Sequence, residues 1–346
     1  MNNGYRLLFF KYFCRKTDQL LRLFRNNSPF TVIILFLFAL LVKIQVLLHP
    51  VVPVPVAGHY IYNYTLRALS AVFGHHGFIY ALLSIILIFV QSLYIKSIAT
   101  RHKLFPRYTY ISSFVYLLLT TIYPPFNVFN ETLLINFLLL GAVDIMFSFT
   151  QTNQPRKLIY NASLLLCMAA MFQFTLLAYF FLLLVGMVLF RSFNIGEWSV
   201  ALMGYVTPIY FIVCILFLAD KFYLFTHWPH VGFSLSSISV PPFYLIVAIA
   251  GTIILLGTGV YAMRLNVPMS NIYIRRDWIA ISFYLIISVM VAVLTDNDIK
   301  SAWLIVIPAL SIIISHALLL EKNKRFSNFI FYFSLVFLFF CLWTYK

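Results

Sequence analysis

Apolar residues in this 346-residue chain come in long runs separated by short polar breaks. A run of roughly 17–25 residues is what a helix needs to cross a hydrocarbon layer about 30 Å thick. Eleven segments carry this pattern, the shortest of them a little below that length: 29–48, 77–95, 108–123, 132–149, 158–172, 176–190, 198–218, 243–263, 278–294, 302–320 and 326–343. The first is punctuated by Ser28 as a cap and by Pro29 as the opening residue, where a missing N–H costs nothing. Region 158–190 reads as two short helices joined by a tight turn. As one helix it would be about 50 Å long, and it holds the polar stretch Gln173, Phe174, Thr175 near its middle.

Composition sharpens this reading. Sixty-three per cent of residues are hydrophobic, 10% are charged and the mean hydropathy is +0.96, more apolar surface than a soluble core absorbs. The net charge of +15 would point to nucleic acid in a soluble protein, but here the basic residues lie between the apolar runs. With the two-helix reading of 158–190, nineteen of the 24 Lys and Arg fall on one side and four on the other, namely Arg67, Lys221, Lys300 and Lys346, with Lys43 inside a span. A single helix there would reduce the split to fifteen against eight. The apolar runs therefore predict an all-α integral membrane protein with about eleven spans, and the positive-inside rule gives it a cytoplasmic N-terminus. Membrane lipids are its expected partners and nucleic acid is not; the sequence sets no oligomeric state.

Two further helices are predicted at the interfaces. Residues 5–25 mix Leu and Phe with Lys11, Arg15, Lys16, Arg22 and Arg25, and they lack a signal-peptide cleavage site. Residues 1–28 read as a basic amphipathic segment on the cytoplasmic leaflet, ahead of a single polytopic domain over 29–346. The longest outer loops are 49–76 and 219–242, with short turns at 124–131 and 295–301. Loop 49–76 begins with the extended stretch HPVVPVPV, then places Ile61, Thr65, Ala68, Leu69 and Val72 on one helical face, the pattern of a helix lying in the outer interface.

Candidate chemistry is sparse. Cys14, Cys167, Cys214 and Cys341 are widely spaced and form neither a disulfide framework nor a zinc pattern. No nucleophile elbow, P-loop or dinucleotide fingerprint occurs, so no cofactor is expected. Of nine acidic residues, Glu131, Asp220, Asp296 and Asp298 stand at outer span ends. Glu131 follows Tyr123, Pro124 and Pro125 and opens a span, where a carboxylate meets the positive helix end and faces a shared cavity or simply caps the helix. Asp220 beside Lys221 reads as a surface ion pair. The turn Asp296, Asn297, Asp298 caps a helix or holds a hard cation, capping being the commoner role. His49, His59, His75, His76, His227 and His230 lie on the outer side without the spacing of a helical ligand set, so no metal site is assigned. Asp144 and His316, within spans near their inner ends, read as snorkelling or interhelical hydrogen-bonding residues.

Three stretches carry a resemblance: Tyr123-Pro124-Pro125 through Asn130-Glu131, the broken pair YNASLLLCMAAMFQFTLLAYFFLLLVGMVLF, and RSFNIGEWSVALMGYVTPIYF. Over about residues 120–220 the chain resembles an uncharacterised family of polytopic membrane proteins of Bacteroidota. The layout is also similar to the C-type superfamily of membrane glycosyltransferases: a first outer loop with an interfacial helix, a proline-then-acid opening of a later span, and a short helix pair broken at its outer turn. That resemblance implies an outward-facing cavity for a polyprenyl-phosphate or other lipid-linked substrate and, in an active enzyme, glycosyl transfer with inversion in cell-envelope biogenesis. Such enzymes usually carry an acid in the first loop just before a Tyr-containing helix start. Here that place reads Ala57, Gly58, His59, Tyr60, Ile61, Tyr62, and no Asp or Glu lies between Lys43 and Glu131. The resemblance then implies His59 as base, Glu131 as the acceptor-orienting carboxylate and Arg67 as the phosphate contact. A non-catalytic scaffold or transporter of the same fold is the alternative.

Overall fold

The computed structural model describes residues 21, 23–25, 28–56, 58–74, 76–150, 154–228, 243–295, 301–320 and 324–344, and these are helical without a β-strand. A helix occupies each of the eleven apolar segments. In chain order the α-helices are α1 (Pro29–Val42), α2 (Ile44–Leu48), α3 (Tyr60–Phe73), α4 (Gly77–Arg101), α5 (Ile111–Ile122), α6 (Glu131–Phe147) and α7 (Pro155–Phe172). They continue as α8 (Tyr179–Phe190), α9 (Ile195–Leu218), α10 (Tyr223–Thr226), α11 (Phe243–Asn266), α12 (Ile272–Leu294), α13 (Ile307–Leu318) and α14 (Lys324–Thr344). Six helices, beginning at Gly77, Glu131, Ile195, Phe243, Ile272 and Lys324, are long and apolar enough to cross a membrane; Pro29–Val42, Ile111–Ile122, Phe174–Phe190 and Ile307–Leu318 are shorter apolar helices.

Burial sorts the helices into an inner and an outer set. Every residue of α5 is buried, as is nearly all of α13, and α5 packs against α4, α13 and α14. On the outside, α1, α9 and α11 leave Phe30, Phe217, Leu218 and Ile253 exposed. Apolar surface of that extent is stable against hydrocarbon rather than water. With no hydrophobic force between helices in such a medium, close approach of backbones supplies the packing. A Cβ at Gly259 of α11 would lie 2.7 Å from the Ile313 carbonyl oxygen of α13, and one at Gly204 of α9 would lie 2.8 Å from that of Tyr160 in α7.

The break in 158–190 falls where length and polarity placed it: α7 ends at Phe172, Gln173 is extended, and a 3₁₀ turn over Phe174–Ala178 leads into α8. Gln173 and Thr175 hydrogen-bond the Thr295 hydroxyl at 2.5 and 3.2 Å, which ties the polar turn to the end of α12 and leaves Gln173 Oε1 buried without a partner. Three expectations change. Segment 29–48 is interrupted at Lys43, whose buried ammonium reaches the Asn127 side chain and, at 3.3 Å, the Thr120 hydroxyl. The last turn of the N-terminal segment is docked in the bundle rather than laid on lipid. Leu21 and Phe24 are buried, the Phe24 ring is 4.7 Å from that of Phe114, and Arg25 donates to the Leu318 carbonyl at the end of α13 at 2.7 Å. Its charged residues Lys11, Arg15, Lys16 and Arg22 lie outside the described residues, as do His75, His230, Cys14 and the Asp296–Asp298 turn. In α3 the buried face is Tyr62 and Leu66, while Ala68 and Val72 are exposed, a rotation of about one residue from the expected stripe.

Candidate functional site

His59 and Glu131 meet. The extended proline segment delivers the chain to Gly58, whose φ of +82° turns it into α3. Asn63 then clasps the segment from inside the helix, its amide donating to the Val56 carbonyl at 2.7 Å while its oxygen accepts from the Val56 N–H at 3.0 Å. Tyr62 and Leu66 pack against Tyr80 and Phe129, and the Tyr62 hydroxyl donates to the Phe129 carbonyl at 3.4 Å. His59, the residue before α3, is thereby fixed over the start of α6.

Glu131 arrives from a separate construction. Pro124–Asn127 form a 3₁₀ turn held to α4 by the Ser84 hydroxyl, which donates to the Asn127 carbonyl at 2.7 Å. Asn130 caps α6 by accepting from the Leu133 N–H at 3.1 Å, which leaves Glu131 as the first helical residue, in the field of the unsatisfied N–H groups. His59 Nδ1 lies 2.6 Å from Glu131 Oε2. The carboxylate side chain is only 2% exposed and its other oxygen, Oε1, is buried without a partner. Among the described residues no Lys or Arg pairs with it.

A carboxylate on Nδ1 holds that nitrogen protonated and leaves Nε2 as the basic lone pair, and it stabilises the imidazolium formed when Nε2 takes a proton. His59 Nε2 makes no hydrogen bond to a described residue and is not buried. The pair therefore presents the Nε2 edge of a carboxylate-held imidazole away from Glu131, with 13% of the His59 side chain exposed.

Arg67 does not join them. It lies eight residues along α3 from His59, about 12 Å on a helix, its side chain is exposed, and no ion pair or hydrogen bond ties that side chain to a described residue. Asp220 and Lys221 are exposed at the end of α9, with no ion pair between them.

A second charged cluster occupies the opposite end of the bundle. Asp144 of α6 accepts from His102 Nε2 at 2.8 Å on one oxygen, and from Arg101 and, at 3.3 Å, the Tyr94 hydroxyl on the other. That is the interhelical role expected of Asp144; Arg101, His102 and Tyr94 as its partners were not foreseen, because α5 lies between them and Asp144 in the chain. His316 departs from expectation. Its ring lies tilted against Trp278 at 4.5 Å and edge-on to Phe105 at 5.4 Å, and neither nitrogen has a hydrogen-bond partner.

No protein-family profile, curated protein or solved structure matches this chain.

Proposed function

We propose that the chain is a multi-pass inner-membrane protein with eleven spans and a cytoplasmic N-terminus, and that it transfers a sugar from a polyprenyl-phosphate-linked donor at its outer face. The observation that carries the reading is the 2.6 Å contact between His59 Nδ1 and a Glu131 carboxylate almost wholly removed from solvent. In the reaction, His59 Nε2 takes the proton of an acceptor hydroxyl. The oxygen attacks the anomeric carbon from the face opposite the phosphate, the carbon–phosphate oxygen bond breaks, and the polyprenyl phosphate leaves with the electron pair. Glu131 holds the imidazole and stabilises its charged form. Arg67, free on the same loop, contacts the donor phosphate when substrate draws it in. The glycosyl chemistry rests on the layout shared with C-type membrane glycosyltransferases; the acid–base roles rest on the contact itself.

Proteoliposomes given a panel of polyprenyl-phosphate sugars test this. The wild type should release polyprenyl phosphate, and His59→Ala should lower that rate by about 10²-fold or more while retaining donor binding. Absence of donor binding by the wild type, or equal turnover by the variant, overturns the enzyme reading. In that case the same contact serves only to lock α3 onto α6, and the non-catalytic scaffold or transporter takes its place. Topology has its own check: a cysteine introduced within 264–277 should resist an impermeant thiol reagent applied from outside, and labelling there would reverse every loop after 190.

A further inference from the structure

At the end of the bundle carrying Asp144, a cleft of about 370 Å³ is lined by Val32, Leu93, Lys96, Ser97, Thr100, Arg101 and Tyr110. Helices α1 and α4 touch at Phe36 and Phe89, ring centroids 5.1 Å apart. One turn further on they part, and Val32 and Leu93 form apolar walls. Beyond the walls the donors converge. Lys96 has no carboxylate partner among the described residues; its ammonium sits 4.5 Å from the centre of the Tyr110 ring, which holds a cation in place without neutralising it. Arg101 spends part of its guanidinium on Asp144, yet its side chain remains 55% exposed.

The two hydroxyls are the telling feature. In the spans around them Ser92, Thr120 and Thr121 return their hydroxyls to carbonyls three or four residues back, the usual solution in an apolar medium, and Ser112 and Thr132, which lack a partner, are buried and do not line the cleft. Ser97 and Thr100 do not: neither hydroxyl bonds a described residue and neither is buried. An unneutralised ammonium, part of a guanidinium and two unspent hydroxyls on one cleft wall make a donor set for phosphate oxygens. Ile33, Phe36, Ile86 and Val90 stay exposed beside it toward the middle of the bundle, a path for acyl chains.

We propose that this cleft binds an anionic glycerophospholipid of the cytoplasmic leaflet, its phosphate on Lys96, Arg101, Ser97 and Thr100 and its chains along α1 and α4. The site is remote from His59 and Glu131 and stands whether or not they catalyse. Basic residues at the headgroup level already favour acidic lipid in general; the cleft adds a defined stoichiometry of one.

Native mass spectrometry of the full chain released from phosphatidylglycerol-containing micelles provides the test, with Lys96→Gln and a Ser97→Ala/Thr100→Val double variant beside the wild type. None of these changes touches Asp144 or its partners, so the lipid-free melting temperature should match wild type in each. The wild type should carry a single tight phosphatidylglycerol adduct, and Lys96→Gln should weaken it by about fivefold, the effect of one basic residue at an anionic surface. Unchanged affinity in both variants would overturn the site, as would equal retention of phosphatidylcholine. Displacement of the adduct by inorganic phosphate would reassign it to a soluble anion and overturn the lipid.

Discussion

The two ends of the bundle each hold a histidine against a buried carboxylate, and they differ in how much of the pair's hydrogen-bonding capacity is spent. Asp144 is saturated: His102 on one oxygen, Arg101 and Tyr94 on the other, with the remaining His102 nitrogen buried and unpartnered. Glu131 has His59 alone, one oxygen idle, and an imidazole whose far nitrogen reaches the surface. A carboxylate with several donors is a structural tie, because every group it faces is already fixed. A carboxylate with one histidine and nothing else leaves that histidine able to exchange a proton. The contrast lies in the number of partners and in which imidazole nitrogen is occupied, and chemical composition alone does not separate the two pairs.

The largest effect should come from breaking the closed end. Asp144→Ala strands the buried His102 without its acceptor and takes one from Tyr94, while the mostly exposed Arg101 turns to water, so the loss should be about 3 kcal/mol, the upper end for buried donors left unpaired. Thermal unfolding of purified protein in detergent checks this; a melting temperature like that of the wild type would remove the distinction between the two ends. Next is Glu131→Gln, which keeps size and a hydrogen-bond acceptor but no longer stabilises the imidazolium. Turnover should fall by about 10²-fold while the melting temperature stays close to wild type, and the reverse pattern, lost stability with intact turnover, would make Glu131 a tie like Asp144. The smallest effect is expected from Tyr94→Phe, which removes one of three donors from an otherwise satisfied carboxylate and should cost about 1 kcal/mol. A cost comparable to that of Asp144→Ala would mean that Tyr94, and not the Arg101–His102 pair, closes this end.

Much of the fold was legible in the chain because the cues are local. Apolar runs, Pro29 at a helix start, Glu131 opening a span, and the polar interruption at Gln173 each act within a few residues through backbone hydrogen bonding and helix length. The resemblance assigns His59, Glu131 and Arg67 to one outer cavity; the structure puts His59 directly against Glu131, a pairing the sequence does not specify, and leaves Arg67 apart on its own turn of α3. What escaped the sequence was which groups are paired: Lys43 with Asn127, His316 with aromatic rings instead of a hydrogen bond, Asp144 with Tyr94, Arg101 and His102 at the end of α4, and one serine and one threonine hydroxyl left unspent at a cleft.

The sequence by itself determined that the chain is helical, apolar on a membrane scale and biased in charge, since these follow from composition and from periods of a few residues. Only the tertiary structure decided which charge is closed and which is open. His59 and Glu131 lie 72 residues apart, and His102 and Asp144 lie 42 apart. At such separations the partner of a buried polar group is selected by which helices pack together, and nothing in the local backbone records that choice.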